Sequence, residues 1–338
     1  MKREAYFDNA KWILMFLVVF GHVIQPFTDQ HPLYNVLYKW IYTFHMPAFI
    51  IVSGYFAQAK MNKTYALKLA KKLLLPYLSF QAIYTIYYAL IGKSGWWKPP
   101  FEPQWALWFL VSLFCWHIML YWYRRLPKHM AIFISIQIGV LVGYMSGIDH
   151  SFSLSRTFVF FPFFLIGHWI GTDEMNWLRE TRTRVLALGV MLSVALAILF
   201  APSFDTSWFF GSKSYTVLRM PEWGGFIRLA CYAVSISMAF SVLAWIPTKT
   251  YSWTKYGAYT LYVYLLHGFV IQLIREHDLI HVYSPYDVIY LVTFSFIIMG
   301  LFVSKPAVTL MTPILQWKSF GWKVKKYPVK EVGSGSTH

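Results

Sequence analysis

Residues 9–27 read NAKWILMFLVVFGHVIQPF, and this stretch decides the fold. Its length matches the ~20 mostly apolar residues that an α-helix needs to cross a bilayer. A backbone surrounded by lipid must satisfy its own hydrogen bonds, so the segment is predicted to be a helix and not a strand. No small-residue cleavage site follows it, and we expect it to stay in the protein as the first span.

Blocks of this kind recur along the chain, which is 57% hydrophobic and only 13% charged. A typical soluble domain carries about 25% charged residues, so this chain has too little polar surface for a soluble globule. The sequence predicts an all-α, polytopic transmembrane helical bundle of about ten spans. The transmembrane domain is predicted over 1–318, followed by a basic cytoplasmic tail at 319–338 whose end has the composition of an added linker. The predicted spans lie near 9–27, 33–58, 73–92, 104–123, 129–147, 157–172, 184–201, 223–246, 257–276 and 285–305.

Positive charge is distributed unevenly among the loops. The net charge is +16, and most of the 30 Lys and Arg residues fall in alternate loops. Cytoplasmic loops are the ones enriched in Lys and Arg, so both termini are predicted to be cytoplasmic. Nucleic acid is not expected as a partner, because the basic residues do not form one soluble face. Segment 306–318, a predicted interfacial helix, and the tail are expected to meet anionic membrane lipids.

Two polar residues interrupt the first span. Lys11 and His22 lie close to three helical turns apart, so both are predicted to face the same direction, about 16 Å apart along the axis. Snorkelling of the side chain to the headgroups explains Lys11 on position alone. Its alignment with His22 suggests a second role, in which it holds the phosphates of a cytoplasmic cofactor whose thioester arm reaches the histidine.

Three histidines are predicted to share one depth in the membrane. His45 lies beside Pro47 in the second span and His267 in the ninth, both near the midplane, where they join His22. Any one of them alone could simply bond a neighbouring helix. Together they favour a chamber with a general base, because a neutral imidazole is inexpensive to bury and exchanges protons near neutral pH. No carboxylate lies at this depth, so no metal site is predicted.

Aromatic residues cluster at the predicted outer ends of several spans. Arg156, just before the sixth span, could bind a sugar together with Trp105 and Trp108, at the outer end of the fourth. Anchoring in the aromatic belt of the interface is the ordinary alternative, and position alone favours it. The clusters Trp96-Trp97 and Trp208-Phe209-Phe210 are predicted to be such anchors.

The order and spacing of several motifs resemble acyltransferase family 3 of bacterial membrane proteins, and within it the fucose 4-O-acetylase-like branch. The family has a basic residue, ten residues and then a histidine, as Lys11 to His22 do here, with lysine in place of the arginine of many members. Lysine cannot make the bidentate contact of arginine. The other matching motifs are Phe44-His45-Met46-Pro47, Ser53-Gly54-Tyr55-Phe56, Leu75-Pro76-Tyr77, Leu107-Trp108-Phe109-Leu110, Phe161-Pro162-Phe163-Phe164-Leu165-Ile166-Gly167, Tyr256-Gly257 and Tyr264-Leu265-Leu266-His267.

The resemblance implies an O-acyltransferase of the bacterial inner membrane that acts on carbohydrate. It would move an acyl group, expected to be acetyl, from cytoplasmic acetyl-CoA or another acyl-CoA to a hydroxyl of an extracytoplasmic or lipid-linked glycan. His22 would be a general base or a transient acyl carrier. Transfer would finish within the bundle or on a separate glycan-biosynthesis partner protein. The candidate residues are His22 and His45 for catalysis, Lys11 and His267 for cofactor binding, and Trp108, Arg156 and Ser53 for substrate binding.

A transporter or flippase for a glycan or a lipid-linked sugar is the alternative from another functional class. Histidines in the middle of the membrane would then couple transport to protons. The lack of a visible inverted repeat argues against it, as does the spacing of Lys11 and His22.

Overall fold

The computed structural model describes residues 4–148, 153–200 and 204–316, and these ranges form helices and no strands. Each predicted span contains a helix, so the all-α fold class is confirmed. The helices are α1 (Ala5–Ile24), α2 (Pro32–Tyr55), α3 (Lys63–Leu90), α4 (Trp108–Tyr123), α5 (Lys128–Leu141), α6 (Leu154–Trp169), α7 (Thr172–Leu178), α8 (Thr181–Phe200), α9 (Ser207–Phe210), α10 (Gly224–Trp245), α11 (Thr260–Glu276), α12 (Val288–Phe302) and α13 (Lys305–Gln316).

The length and apolarity of the helices support fewer membrane crossings than the sequence predicts. Within the described ranges, six helices are long and apolar enough to cross a membrane. The number rises to seven if α6 and α7, which are bent by 101° at their junction, form one broken span. α2 is long enough but falls below the apolarity of the six, because it carries several tyrosines, Lys39 and His45. The predicted number of about ten spans is therefore not confirmed.

The bounds of α3 and α13 differ from those predicted. α3 begins at Lys63, about three turns before the predicted start at 73, and the side chain of Asn62 caps it by accepting from Tyr65 N at 2.8 Å. α13 occupies most of the predicted interfacial segment 306–318 and packs on α3. The predicted tail at 319–338 lies outside the described residues.

α2 is the central helix of the bundle and packs against α1, α6, α8 and α10. Its contact with α6 is close because glycine occupies the crossing point. A Cβ atom added at Gly167 would lie 2.0 Å from the carbonyl oxygen of Ile51, which is far inside van der Waals contact. Both helices line the same cavity, α2 with His45 and Phe49 and α6 with Arg156 and Phe160.

The first turns of α1 are fixed by the connection between α10 and α11. Asn9 is fully buried, and its Nδ2 donates to the carbonyls of Pro247 at 2.8 Å and Lys249 at 2.9 Å. Its Oδ1 accepts from the Thr254 hydroxyl at 2.7 Å. A buried amide with all these partners satisfied holds the backbone in one position. The location of Lys11, two residues further along α1, follows from it.

Candidate active site

A cavity of about 450 Å³ lies among α1, α2, α3, α4, α6 and α11, and α9 contributes Phe209 and Phe210 to its wall. Along α1 it extends from Lys11 to Gln25, which is about 21 Å at 1.5 Å per residue. We call the part at Lys11 the basic end, because Lys11 and Lys72 line it, and the part at Gln25 the far end. The volume is that of a pocket for a small molecule.

His22 is half-buried in the wall of this cavity and is surrounded by rings. Its centroid lies 4.5 Å from that of Trp105 and 5.7 Å from that of His267. The hydroxyl of Tyr42 lies 3.2 Å from His22 Nδ1, within hydrogen-bond distance. Tyr42 also packs edge-on against His45 at 4.5 Å. The structure thus brings the three predicted histidines into one connected cluster.

Backbone hydrogen bonds fix the tautomers of two of these histidines. Nδ1 of His45 lies 2.9 Å from the carbonyl oxygen of Ile41, and Nδ1 of His267 lies 2.9 Å from that of Val263. A carbonyl only accepts, so each neutral ring carries its proton on Nδ1 and keeps a lone pair on Nε2. His45 lines the cavity, where this lone pair can accept a proton. Nε2 of His267 is buried and has no hydrogen-bond partner among the described residues.

Trp105 reaches the cluster through an unusual backbone conformation. It has a φ of 38°, in the left-handed region that bulky residues rarely adopt, and it opens the short turn before α4. Such a conformation costs about 1–3 kcal/mol and persists only when its surroundings enforce it. The Tyr264 hydroxyl donates to the Ala106 carbonyl at 2.5 Å, and Gln81 Oε1 accepts from the Gln104 amide at 2.8 Å. These bonds hold the turn that lays Trp105 against His22.

Arg275 supports the same cluster from α11. Its Nη2 donates to the carbonyl of His22 at 2.5 Å and to Gln25 Oε1 at 2.8 Å. Its guanidinium carbon lies 6.0 Å from the ring centroid of Trp105. Arg275 therefore ties the last turn of α1 to α11 and fixes the backbone of His22.

The basic end of the cavity holds positive charge and hydrogen-bonding groups. Lys11 Nζ lies 2.8 Å from Asp8 Oδ1, and the Lys11 side chain keeps 29% of its surface exposed. Lys72 and His117 also line the cavity, and His117 Nδ1 lies 3.1 Å from the Tyr65 hydroxyl. This end can contact an anion, since two lysines line it and only one of them has a carboxylate partner among the described residues.

Trp108 and Arg156 form a second part of the lining. The Arg156 guanidinium carbon lies 5.0 Å from the ring centroid of Trp108, in the geometry of a cation–π contact. α4 and α6 are joined beside them, because the Trp116 Nε1 donates to the Thr157 carbonyl at 2.7 Å and the hydroxyls of Ser112 and Thr157 lie 2.8 Å apart. The two residues predicted to bind the acceptor thus lie together in the cavity.

The structure places Ser53, His267 and the cluster Trp208-Phe209-Phe210 where the roles predicted for them are not favoured. The Ser53 hydroxyl donates to the Phe49 carbonyl at 2.9 Å, and Ser53 is not among the residues that line the cavity. His267 is fully buried behind His22, so its position favours support of His22 over direct contact with a cofactor. Phe209 and Phe210 were predicted to be interface anchors, but both line the cavity. Trp208 is buried against Tyr215, at 5.6 Å between ring centroids, because the connection before α10 folds inward.

Several residues of the site were not selected from the sequence. Tyr42 lies three residues before His45, on the same helical face, and this spacing is a signal that could have identified it. Lys72 lies just before the predicted span at 73–92 and Arg275 at the end of that at 257–276, and position alone indicated no role for either, although Lys72 lines the cavity and Arg275 bonds the His22 carbonyl. Trp105 was predicted only as part of a sugar-binding platform with Trp108, and no spacing rule indicates its contact with His22, since only its backbone conformation turns it toward that ring. Among the described residues, no group of three or more His, Cys, Asp or Glu is arranged to hold a metal ion.

Comparison with known proteins assigns the chain to a family. The family model described as an acyltransferase domain matches residues 4–311. The chain is 42% identical over 66 residues to nodulation protein NolL of Sinorhizobium fredii, a match that covers 18% of each chain. It is 39% identical over 98 residues to nodulation protein NolL of Mesorhizobium japonicum, covering 26% of each. No solved structure matches. Because the family model spans nearly the whole chain, the protein belongs to this acyltransferase family and, with its apolar helices, is a multi-pass membrane protein.

Proposed function

We propose that the protein is a membrane O-acyltransferase of the fucose 4-O-acetylase-like branch. It moves an acyl group, expected to be acetyl, from cytoplasmic acyl-CoA to a hydroxyl of an extracytoplasmic or lipid-linked glycan. The observation that carries the proposal is the continuous cavity that contains both the lysines of the basic end and His22. A donor bound by its phosphates at one end has its reactive group beside a histidine at the other.

The donor binds with its phosphates at the basic end. Lys11 lies eleven residues before His22, about 16 Å along α1, which is about the reach of a pantetheine arm. Asp8 neutralises part of the charge of Lys11, so Lys72 supplies a second cation. Lysine binds phosphate as a point charge and not as a bidentate fork, so two lysines divide the role that one arginine has in many family members.

His22 acts as the general base. In the tautomer with a proton on Nδ1, it donates to the Tyr42 hydroxyl oxygen and keeps a lone pair on Nε2. Nε2 removes the proton of the acceptor hydroxyl while the oxygen attacks the thioester carbonyl carbon. The new C–O bond forms, the C–S bond breaks, and the proton passes from Nε2 to the leaving thiolate of coenzyme A. General-base catalysis of this kind contributes about 10²–10⁴-fold.

The neighbours of His22 set its orientation. Tyr42 holds Nδ1, the ring of Trp105 covers one side, and His267 lies beyond. His45 has a fixed lone pair on Nε2 in the same cavity and serves to position the acceptor hydroxyl or to receive its proton. A base whose ring cannot rotate loses less entropy when the reactants come together.

The proposed orientation follows from charge. The basic end faces the cytoplasm, where acyl-CoA is available, and both termini lie on that side of the bacterial inner membrane. The acceptor enters from the far end, past Trp108 and Arg156. A reporter fused to the C-terminus is expected to be active only as a cytoplasmic fusion. A periplasmic signal would contradict this orientation.

The test uses the purified full chain in nanodiscs with acetyl-CoA. Binding of acetyl-CoA, followed by release of free thiol, is expected for an acyltransferase. Lys72→Ala should weaken the binding, and Lys68→Ala, exposed on the same helix and outside the cavity, should not. A transporter of glycan or lipid-linked sugar would bind no acetyl-CoA and release no thiol. Either of these results for the wild-type chain would contradict the proposed function.

A further inference from the structure

Arg156 is a cation in the wall of the cavity, and it has no anionic partner among the described residues. It is half-buried, lines the cavity and contacts the ring of Trp108. Among the described residues it has neither a salt bridge nor a hydrogen bond. No Asp or Glu is among the residues that line the cavity, whereas Lys11, Lys72 and Arg156 all are. Lys11 differs from Arg156 in this respect, because the carboxylate of Asp8 pairs with it.

A partly buried guanidinium destabilises the protein unless an anion pairs with it. Arginine stays protonated at every physiological pH, so it cannot avoid the cost of burial by losing its charge. Removing one partner of a buried ion pair leaves an uncompensated charge that strongly destabilises a protein. A cation–π contact with one tryptophan offsets part of that cost, but no described protein group accepts a hydrogen bond from the five N–H donors of the guanidinium.

The phosphates of the donor are not placed to be that partner. Gly54 of α2 approaches the backbone at His168, and Tyr55 stacks on Phe7 at 4.4 Å, so this end of α6 lies at the basic end. Arg156 lies twelve residues before His168, about 18 Å away along α6. A donor whose phosphates contact Lys11 and Lys72 therefore leaves Arg156 for a group at the other end of the ligand or on the second substrate.

We propose that one of the two molecules joined in the reaction carries a carboxylate or a phosphate that pairs with Arg156. This inference rests on the proposed function and narrows its substrate class. The anion is either the distal carboxylate of a dicarboxylic acyl group or an acidic group on the acceptor sugar. In both cases the planar guanidinium makes a bidentate contact, and Trp108 packs against the face of the guanidinium.

The test compares ligands that carry an added carboxylate or phosphate with neutral counterparts. Intrinsic tryptophan fluorescence of the full chain in nanodiscs reports binding, without any need for turnover. The first pair is succinyl-CoA and acetyl-CoA. The second, the sugar pair, is an anionic sugar and its neutral match: methyl β-glucuronide or glucose 1-phosphate serves as the anionic sugar, and methyl β-glucoside is the neutral match for both. Each ligand is titrated into the wild type, Arg156→Gln, Arg156→Lys and a control, Arg182→Gln, whose side chain is exposed and outside the cavity.

We expect the charged member of one pair to bind at least tenfold more tightly than its neutral match. In Arg156→Gln that preference should disappear, because the charged member loses far more affinity than the neutral member does. Arg156→Lys should retain part of it and Arg182→Gln all of it. The pair that shows the preference identifies whether the acyl group or the acceptor carries the anion.

Two results would overturn the proposal: no preference for charge in either pair, or a preference that survives in Arg156→Gln. A purely structural role for Arg156 would weaken both members of a pair equally. Failure of the proposed function looks different, because the wild type would then bind neither thioester. The sugar pair would still decide whether Arg156 selects an anion.

Discussion

Replacing Tyr42 by phenylalanine removes the hydroxyl that lies 3.2 Å from His22 Nδ1 and leaves the aromatic packing on His45 in place. In the ground state this hydrogen bond is between neutral groups and contributes about 1 kcal/mol. In the transition state His22 becomes an imidazolium, and a hydrogen bond to a charged group contributes about 1.5–3 kcal/mol. The difference of about 0.5–2 kcal/mol corresponds to a fall in kcat of about 2- to 30-fold.

The assay is single-turnover release of thiol from acetyl-CoA, measured with the purified chain in nanodiscs at saturating donor. KM for the donor should change little, because Tyr42 contacts His22 and not the phosphates. Tyr88→Phe is the matched control: the buried Tyr88 hydroxyl has no hydrogen-bond partner among the described residues and does not line the cavity. An unchanged kcat in Tyr42→Phe, or an equal loss in Tyr88→Phe, would refute the idea that Tyr42 orients His22.

Three further predictions test other parts of the site. Lys11→Ala is expected to raise KM for acetyl-CoA about tenfold without lowering kcat, because it removes one charge-assisted contact of about 1.5 kcal/mol; steady-state kinetics beside Lys68→Ala would detect it. Gly268→Ala places a Cβ atom against the Tyr84 hydroxyl and 2.5 Å from Trp105 Cζ3, and it should displace the Trp105 ring from His22, so kcat should fall at least about tenfold while circular dichroism stays helical. Asn9→Ala leaves the carbonyls of Pro247 and Lys249 without their donor and should lower the free energy of unfolding by about 1–3 kcal/mol, seen as a lower melting temperature in detergent. An unaltered value in any of these measurements would contradict the contact behind it.

The helices and the meeting of the histidines could be predicted because both follow from local rules. Apolar length predicts a helix in lipid, and a rise of 1.5 Å per residue predicts depth within it. His22, His45 and His267 were placed at one depth by this arithmetic, and Tyr42 connects His22 with His45 in the structure while His267 lies beside His22. The pairing of Trp108 with Arg156 followed from the same reasoning about their ends of α4 and α6.

The contacts that could not be predicted are made where the chain has no periodicity. Trp105 reaches His22 because one residue of an irregular connection has a positive φ, and no spacing rule indicates that. Phe209 and Phe210 turn into the cavity because the connection before α10 is bonded to the bundle, with Arg228 donating to the Trp208 carbonyl at 2.5 Å and Ser155 to that of Gly211 at 2.8 Å. An aromatic cluster at this position is otherwise typical of a membrane interface.

The role of His22 as general base is tested most directly by His22→Gln, which keeps a polar side chain of similar reach but cannot accept and return the proton. Thiol release from acetyl-CoA and acyl transfer to the acceptor should both fall at least about 100-fold, with acetyl-CoA affinity unchanged. A His22→Gln protein that is folded, binds acetyl-CoA and transfers the acyl group within a few-fold of the wild-type rate would contradict the account.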